Sequence, residues 1–159
     1  MHYGCYILTK HHRSILCTGG LLDDIHIGAA QFIIHEQFPE IGGLQNTVIL
    51  VAGKLKLIKL LTPTSLQILH ADGKIGHWIV LSTMDCAKDE VKVYDSLYTS
   101  VNDDTQTVIA ALINSKSPHI KIKLMNIAKQ FGGTDCGLYA IAIIANLFSI
   151  WRRPNLSGF

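Results

Sequence analysis

Charged side chains are scarce in this sequence. Lys, Arg, Asp and Glu together make up 16% of its 159 residues, against about 25% in a typical soluble domain. The formal net charge is only +2, so the composition indicates no strongly basic or acidic surface. These values give no support to nucleic acid as a partner, and we expect none.

Cysteine is also sparse, and its spacing is not that of a metal site. The four cysteines are at positions 5, 17, 86 and 136, and no two of them form a C-x-x-C pair. A zinc site therefore lacks its usual signature, and we expect neither a metal nor a cofactor. The segment His11-His12-Arg13 could bind a metal or an anion, but we interpret it as a solvated loop.

Targeting and membrane signals are missing as well. The first residues have no basic region ahead of a long apolar run, as a signal peptide would have. The longest apolar stretch, residues 137–151, is shorter than the roughly 20 residues that span a bilayer, and it contains Asn146 and Ser149. We therefore expect a reduced, intracellular protein, nuclear or cytoplasmic, that is monomeric and independent of membranes.

Residues 129–145 change abruptly from a glycine-rich loop to an apolar run. Cys136 stands at the change, where Asp135 or Thr134 could cap a helix that is buried all round. A thiol in the first helical turn lies near the positive end of the helix dipole, which favours the thiolate. Gly133, in the preceding loop, would let a substrate approach the backbone closely. The competing interpretation is a core cysteine on a buried helix.

A histidine and a carboxylate that could serve this thiol occur on two segments with strand character. Residues 76–83 are rich in β-branched and aromatic side chains, and residues 91–96 alternate apolar and polar ones. In an antiparallel hairpin, His77 can lie opposite Asp95 on one face of the sheet. Each residue alone has a plain alternative, a strand histidine without a role or a solvated carboxylate. Together with Cys136, in this order, they indicate a catalytic triad.

Four separated motifs strengthen that interpretation. They are His77-Trp78, Tyr94-Asp95-Ser96, Gln130, and Asp135-Cys136-Gly137. Their order resembles that of the Ulp-type cysteine proteases, the ubiquitin-like-protein-specific proteases that include the SUMO/sentrin proteases and are related to the adenovirus protease. The resemblance covers roughly residues 21–150, and it implies a ubiquitin-like protein or its conjugates as the partner.

The resemblance also implies a catalytic role for four residues. By resemblance, Cys136 attacks the substrate carbonyl and His77 is its base. Asp95 orients the imidazole, and Gln130 helps to form the oxyanion hole. We expect no cofactor to take part.

Four further positions are expected to contact the substrate, namely Leu21, Asp24, Trp78 and Gly133. Asp24 belongs to a segment that resembles the start of the family's first domain helix. The family usually has Trp where this chain has Leu21, and that Trp helps to roof the channel for the substrate's Gly-Gly tail. The smaller Leu21 therefore predicts slow processing of such a tail.

The overall pattern predicts an α+β domain. The expected helices cover residues 22–36, 103–115 and the run after Cys136, and the expected strands cover 47–51, 66–70, 76–83, 91–96 and 120–125. The resemblance places the chain in the papain-like cysteine protease superfamily, with a mostly antiparallel central sheet packed by helices and the catalytic cysteine at a helix N-terminus. We divide the chain into an N-terminal arm, 1–20, and a catalytic domain, 21–159.

The predicted function is that of a thiol peptidase or isopeptidase that cleaves after the C-terminal Gly-Gly of a ubiquitin-like modifier, SUMO-like by preference. The alternative is a weak or inactive module that binds a ubiquitin-like protein without cleaving it. Acetyl transfer uses a similar set of residues in a related group of enzymes, but the sequence has no cofactor-binding signature for it.

Overall fold

The computed structural model describes residues 2–3, 6–50, 55, 58–71 and 76–153. The elements in chain order are β1 (His2–Tyr3), β2 (Tyr6–Ile7), α1 (Lys10–Thr18), α2 (Asp24–Gln37), β3 (Gly42–Gly43), a 3-10 helix (Thr47–Ile49), β4 (Ser65–His70), β5 (Trp78–Ser82), β6 (Glu90–Tyr94), α3 (Asp103–Leu112), β7 (Lys121–Leu124) and α4 (Cys136–Arg152). Strands β1 and β2 form a small separate ribbon, and β3 to β7 form the central sheet in that spatial order.

The central sheet is mixed. Its three middle strands, β4, β5 and β6, pair antiparallel, as predicted, whereas the edge strands β3 and β7 each pair parallel with their neighbour. A parallel pair needs a crossover connection, and α3 lies in the chain segment that joins β6 to β7. The fold is therefore α+β. Strands β5 and β6 belong to its antiparallel centre, and the predicted histidine and aspartate are next to them in the chain.

Side chains of the sheet alternate between two apolar cores, because successive residues of a strand point to opposite faces. Ile68 and Val80 point into the core that the sheet shares with α2 and α4. Leu69 and Leu81 point into the other core, beneath α3. Helix α4 packs against the middle strand β5, and this contact brings Cys136 next to the start of β5.

Helix α4 is not buried all round, contrary to the prediction. Ile144 is fully buried, but Leu138 and Ile150 are 47% and 53% exposed. The helix packs on one face of the sheet, so the apolar residues on its outer side have no described layer above them. An apolar composition alone does not reveal which side of a helix is covered.

The interpretation of His11-His12-Arg13 as a solvated loop is wrong. These residues lie in α1, and His12 is only 9% exposed. The backbone N–H of Thr9 donates to Nδ1 of His12, 3.0 Å away, and Gly19 ends the helix in the left-handed conformation, with φ of 68°. A polar N-cap and a glycine C-cap are the signals that the sequence carried for this helix.

The strand predicted over residues 47–51 is also wrong. Thr47–Ile49 form a 3-10 helix, and residue 51 lies outside the described part of the chain. Asn46 Oδ1 accepts the backbone N–H of Val48, which turns the chain locally. This side-chain bond outweighs the β-propensity of the short run that follows it.

The other predicted elements are confirmed, with small changes of boundary. The helix expected over 22–36 is α2, whose N-cap Asp23 accepts the backbone N–H groups of Ile25 and His26. The helix expected over 103–115 is α3, which ends at Leu112. Asn102 caps it by accepting the N–H of Thr105. Strands β4, β5, β6 and β7 lie within the ranges predicted for them or begin one residue earlier.

Candidate active site

Cys136 is the first residue of α4 and is 1% exposed. Asp135, one of the two predicted capping residues, occupies the N-cap position, but its side chain makes no capping hydrogen bond. The Sγ of Cys136 donates to the carbonyl oxygen of Gly76, 2.9 Å away. A Cβ on Gly137 would lie 2.9 Å from the Cβ of Leu22, so the start of α4 is packed tightly against the segment before α2.

His77 and Asp95 meet at the same end of the hairpin that β5 and β6 form. His77 lies directly before β5, Asp95 directly after β6, and both are buried. The imidazole Nε2 lies 2.8 Å from Oδ1 of Asp95. The predicted register, with these two residues opposite each other, is wrong by two residues, because the ladder pairs Val80 with Tyr94. A shift of two leaves both side chains on the same face, and the contact therefore survives it.

The second ring nitrogen of His77 faces the sulfur. Nδ1 is buried without a hydrogen-bond partner of standard geometry in the described part of the chain. The Cys136 thiol interacts with the imidazole by hydrogen bonding and by charge, as Asp95 does. The three predicted triad residues are thus brought together, with the imidazole between the carboxylate and the thiol.

The electrostatic environment of His77 and Cys136 favours the imidazolium and the thiolate. Burial alone would lower the pKa of His77, but its interactions with Asp95 and Cys136 raise that pKa from 6.5 to about 9. Burial alone would likewise raise the pKa of Cys136, but His77 and the backbone N–H groups of Trp78 and Gly137 lower it below its ordinary value. Shifts in these two directions are those expected of a thiolate–imidazolium pair.

The contacts of the sulfur belong to two protonation states. The bond to the Gly76 carbonyl requires a protonated thiol, because a carbonyl oxygen can only accept. The N–H groups of Trp78 and Gly137 instead stabilise the thiolate. The sulfur therefore has a described partner in either state, and the raised pKa of His77 favours proton transfer from the thiol to the ring.

Asp95 is held in place by more than the histidine. Its Oδ1 accepts the backbone N–H groups of Leu97 and Tyr98, each at 2.8 Å. Burial would raise the pKa of Asp95, but His77 and these N–H groups lower it. Lys129 Nζ donates to the carbonyl oxygens of Asp95 and Tyr98, at 2.8 and 3.0 Å, and so closes the turn that carries the carboxylate.

Two residues at this turn were not predicted. The ring of Tyr98 stands perpendicular to the imidazole of His77, with centroids 5.0 Å apart. Lys129 precedes the glutamine of the loop, and nothing in its own sequence position indicated a contact with the turn. Both contacts depend on how the loop at 129–130 lies against the end of β6, which strand periodicity does not describe.

Gln130 is 7% exposed and is held at three points. Its backbone N–H donates to the carbonyl oxygen of Ser96, 2.9 Å away. Its side-chain Nε2 donates to the carbonyl oxygen of Gly132 at 3.0 Å, and its Oε1 accepts from the hydroxyl of Ser96. Ser96 was part of the motif singled out in the sequence, although no role was assigned to it.

Two of the predicted substrate positions border His77. Leu21 is 43% exposed, and its side-chain carbons lie 3.2 and 3.3 Å from where a Cβ of Gly76 would be. Trp78 is 5% exposed, and its indole Nε1 donates to the carbonyl oxygen of Leu22 at 2.8 Å. Leu21 therefore lies against the backbone of Gly76, which precedes His77, while the buried indole of Trp78 is bonded to the backbone of Leu22.

The other two substrate positions differ from each other. Gly133 lies in the exposed loop before Cys136 and has no described atom within 4 Å of a Cβ placed on it. The neighbouring Phe131 is 93% exposed, so the rim of this loop carries a free apolar ring. Asp24 is exposed in the first turn of α2, and no described contact joins it to the other candidate residues.

The described part of the chain has no group of three or more His, Cys, Asp and Glu residues that could hold a metal ion. Nor is any helix in those residues long and apolar enough to cross a membrane.

Comparisons by sequence find no relative: no family model matches the chain, and no curated protein matches it. Solved structures do match. SUMO protease Ulp1, with its catalytic cysteine oxidised to a sulfinic acid, superposes with a TM-score of 0.66 at 16% identity, over 89% of this chain and 72% of that one. A de-sumoylating protease gives 0.66 at 14% identity, over 91% of this chain and 68% of that one.

Two of the matching structures contain a modifier protein. The C-terminal Ulp1 protease domain in complex with Smt3, the yeast orthologue of SUMO, gives a TM-score of 0.62 at 16% identity, over 87% of this chain and 71% of that one. The Xanthomonas campestris effector XopD bound to ubiquitin gives a TM-score of 0.52 at 16% identity, over 79% of this chain and 72% of that one. The chain therefore has the α+β fold of the Ulp-type proteases, as the sequence motifs had predicted.

Proposed function

We propose that this chain is a thiol peptidase or isopeptidase that cleaves after the C-terminal Gly-Gly of a ubiquitin-like modifier. The observation that carries the proposal is the environment of one imidazole. His77 is buried between Asp95 and Cys136, and the pKa of His77 is raised to about 9 while the pKa of Cys136 is lowered. A buried thiol and histidine perturbed in these opposite directions are a marker of nucleophilic catalysis.

The first half of the reaction forms a thioester. The thiolate of Cys136 attacks the carbonyl carbon of the last glycine, and the carbonyl electrons move onto its oxygen. The imidazolium of His77 then gives a proton to the leaving amine as the C–N bond breaks. Asp95, bound to Nε2, holds the ring so that Nδ1 faces the sulfur and the leaving group.

The second half hydrolyses that thioester. His77, now neutral, takes a proton from water, whose oxygen attacks the same carbonyl carbon. The C–S bond breaks, the modifier leaves as a carboxylic acid that loses its proton to solvent, and the thiolate–imidazolium pair is restored. Each step passes through a negatively charged oxygen that needs hydrogen-bond donors.

Gln130 and the start of α4 are suited to supply those donors. Nε2 of Gln130 has two N–H groups, and the bond to Gly132 uses one of them. The backbone N–H of Cys136 lies at the helix N-terminus, where Asp135 makes no side-chain cap. A single donor of this kind contributes about 10²- to 10³-fold to kcat.

A ubiquitin-like substrate is supported by the fold and by the exposed loop before Cys136. Structures with this fold contain SUMO in one case and ubiquitin in another. The loop at 131–134 is exposed, and a thin Gly-Gly tail could lie across it between Gly133 and Leu21. We favour a SUMO-like modifier, with residues 21–159 as the catalytic domain. The monomeric state and the nuclear or cytoplasmic location remain predictions.

The test is hydrolysis of SUMO and ubiquitin C-terminal Gly-Gly amides that release a fluorescent amine. We expect turnover by the wild-type chain, no turnover by Cys136→Ala, and full turnover by Cys17→Ala, which changes an exposed cysteine. Activity that survives in a folded Cys136→Ala protein contradicts the proposal. A wild-type chain that binds the modifier without hydrolysing it would instead support the alternative, a non-cleaving binding module.

A further inference from the structure

We propose that Ser96 is a positioning residue for the oxyanion hole, which acts by fixing the side-chain amide of Gln130. This inference rests on the proposed thiol peptidase function and adds a residue to it. Ser96 is 2% exposed and lies one position after Asp95. Its hydroxyl donates to Oε1 of Gln130, which holds that oxygen on the Ser96 side of the amide.

The direction of the amide follows from its two neighbours. The carbonyl oxygen of Gly132 can only accept, so the nitrogen of the amide has to face it. Oε1 therefore faces the Ser96 hydroxyl, which can donate. With both ends occupied, one N–H of Nε2 remains for a substrate oxygen. Without the hydroxyl, Oε1 would be a buried acceptor with no described partner, and the amide would gain from turning.

Backbone contacts make Ser96 the natural anchor. The N–H of Gln130 donates to the Ser96 carbonyl, so these two residues are joined by main chain and side chain together. One position earlier on each segment, Lys129 Nζ donates to the carbonyl oxygen of Asp95. The end of β6 thus presents two consecutive residues to the loop, the first orienting His77 and the second orienting Gln130.

A merely structural serine and a positioning serine predict different kinetics. If Ser96 acts through Gln130, its removal lowers kcat and leaves KM unchanged, since the amide matters only when the oxyanion forms. Alkylation of Cys136 by iodoacetamide forms no oxyanion, so its rate and pH profile should not change. If Ser96 merely supports the turn at Asp95, alkylation should slow as well, because the imidazole would be misplaced.

The experiment is a double-mutant cycle with Ser96→Ala, Gln130→Ala and both together, measured on a small Gly-Gly fluorogenic amide. We expect Ser96→Ala alone to lower kcat by roughly 10- to 100-fold, a part of the effect of a whole donor. In the Gln130→Ala background the same change should alter kcat by no more than about twofold. Ser100→Ala, an exposed serine nearby, serves as the control and should leave kcat unchanged.

Equal effects of Ser96→Ala in the two backgrounds would overturn the proposal, as would a parallel loss of alkylation rate. Thermal unfolding checks each variant. If Ser96→Ala does not fold, Ser96→Cys keeps the volume with a weaker donor and should give a smaller loss of kcat, again only when Gln130 is present.

Absence of turnover in the wild-type chain would contradict the proposed function rather than this assignment. In that case the oxyanion hole can be tested with a Gly-Gly peptide aldehyde, because its adduct with Cys136 has an oxygen in the oxyanion position. We expect Ser96→Ala to weaken aldehyde binding roughly 10-fold or more in the presence of Gln130. Equal affinity in wild type and variant overturns the role of Ser96.

Discussion

Oδ1 of Asp95 lies 2.8 Å from Nε2 of His77 and accepts two backbone N–H groups as well. One oxygen thus receives three hydrogen bonds, which keep the carboxylate ionised and fixed. The ring cannot turn without losing its bond to Asp95, so Nδ1 stays directed to the side of Cys136. Asp95 therefore fixes the orientation of the His77 ring and favours its charged form.

The pH profile should report that charge. The pKa of His77 is raised to about 9 by Asp95 and Cys136 against the effect of burial. In the proposed reaction the leaving amine takes its proton from the imidazolium, so turnover should fall as the pH rises through about 9. In Asp95→Asn the raising contact is weakened, so the alkaline limb of kcat/KM should move toward 6.5, the ordinary value.

The control for that profile is Glu40→Gln, which removes an exposed carboxylate and should leave the alkaline limb in place. Thermal unfolding should show that Asp95→Asn is folded, since Asn can still accept the N–H groups of the turn. An alkaline limb that does not move in folded Asp95→Asn would mean that another group controls the proton.

Cysteine reactivity should separate Cys136 from the other thiols. The pKa of Cys136 is lowered by His77 and backbone N–H groups, whereas burial raises the pKa of Cys86. The thiolate is the form that reacts, so iodoacetamide at neutral pH should modify Cys136 first and stop turnover. Peptide mass spectrometry locates the adduct. Prior modification of the exposed Cys17, with activity retained, would contradict the assignment.

Leu21 should limit the rate with a Gly-Gly tail. Its side chain lies over Gly76, next to His77, but a leucine covers less of a flat tail than an indole would. Apolar burial contributes about 25 cal/mol per Å². The Leu21→Trp change should therefore stabilise the transition state by about 1–2 kcal/mol more, which corresponds to a roughly 5- to 30-fold higher kcat/KM. Leu16→Trp, at a similarly exposed position in α1, is the matched control and should have no effect.

Kinetics of both variants on one substrate decide the question. If folded Leu21→Trp has an unchanged or lower kcat/KM, then the tail is covered by other residues or is not the substrate. A gain that also occurs in Leu16→Trp would indicate nonspecific apolar binding.

Two glycines should differ sharply in their tolerance of alanine. Gly19 and Gly43 both have positive φ, 68° and 79°. A Cβ on Gly19 meets nothing within 4 Å, whereas a Cβ on Gly43 would lie 2.1 Å from the carbonyl oxygen of Leu66 in β4. Gly19→Ala should cost about 1–2 kcal/mol of unfolding free energy for the left-handed backbone alone.

Gly43→Ala has the same backbone cost, and the added Cβ must also displace β4. The loss of unfolding free energy should therefore be about 1–3 kcal/mol larger than for Gly19→Ala. Denaturant unfolding of the two variants measures the difference. Equal losses would mean that the β3–β4 edge adapts to the extra atom and does not fix the strand.

Strand periodicity and helix signals were enough to predict β5, β6 and α4, the elements at whose ends His77, Asp95 and Cys136 lie. The register was missed because a slip of two residues preserves the inward and outward pattern. Periodicity therefore determines which face a side chain occupies but not its partner. Helix α1 was missed for a different reason, since its segment is polar on average and its two caps, Thr9 and Gly19, were not recognised as helix signals.

The supporting residues of the site could not be predicted in the same way. Ser96 reaches Gln130 and Lys129 reaches the turn at Asp95 only because the loop after β7 runs beside the end of β6. Those contacts join residues 34 positions apart, and no local pattern encodes them. The order of the motifs predicts the candidate catalytic side chains, whereas the residues that orient them depend on the path of a loop.

The most direct test of the proposed chemistry is labelling by SUMO and ubiquitin whose C-terminal glycine carries a propargylamide, followed by peptide mapping of the adduct. We expect at least one of the two modifiers to become attached to Cys136. The adduct should be lost in Cys136→Ala, strongly reduced in His77→Ala and retained in Cys17→Ala. A folded chain that binds either modifier but remains unlabelled, or that carries the adduct on Cys17 or Cys86, would contradict Cys136 as the nucleophile.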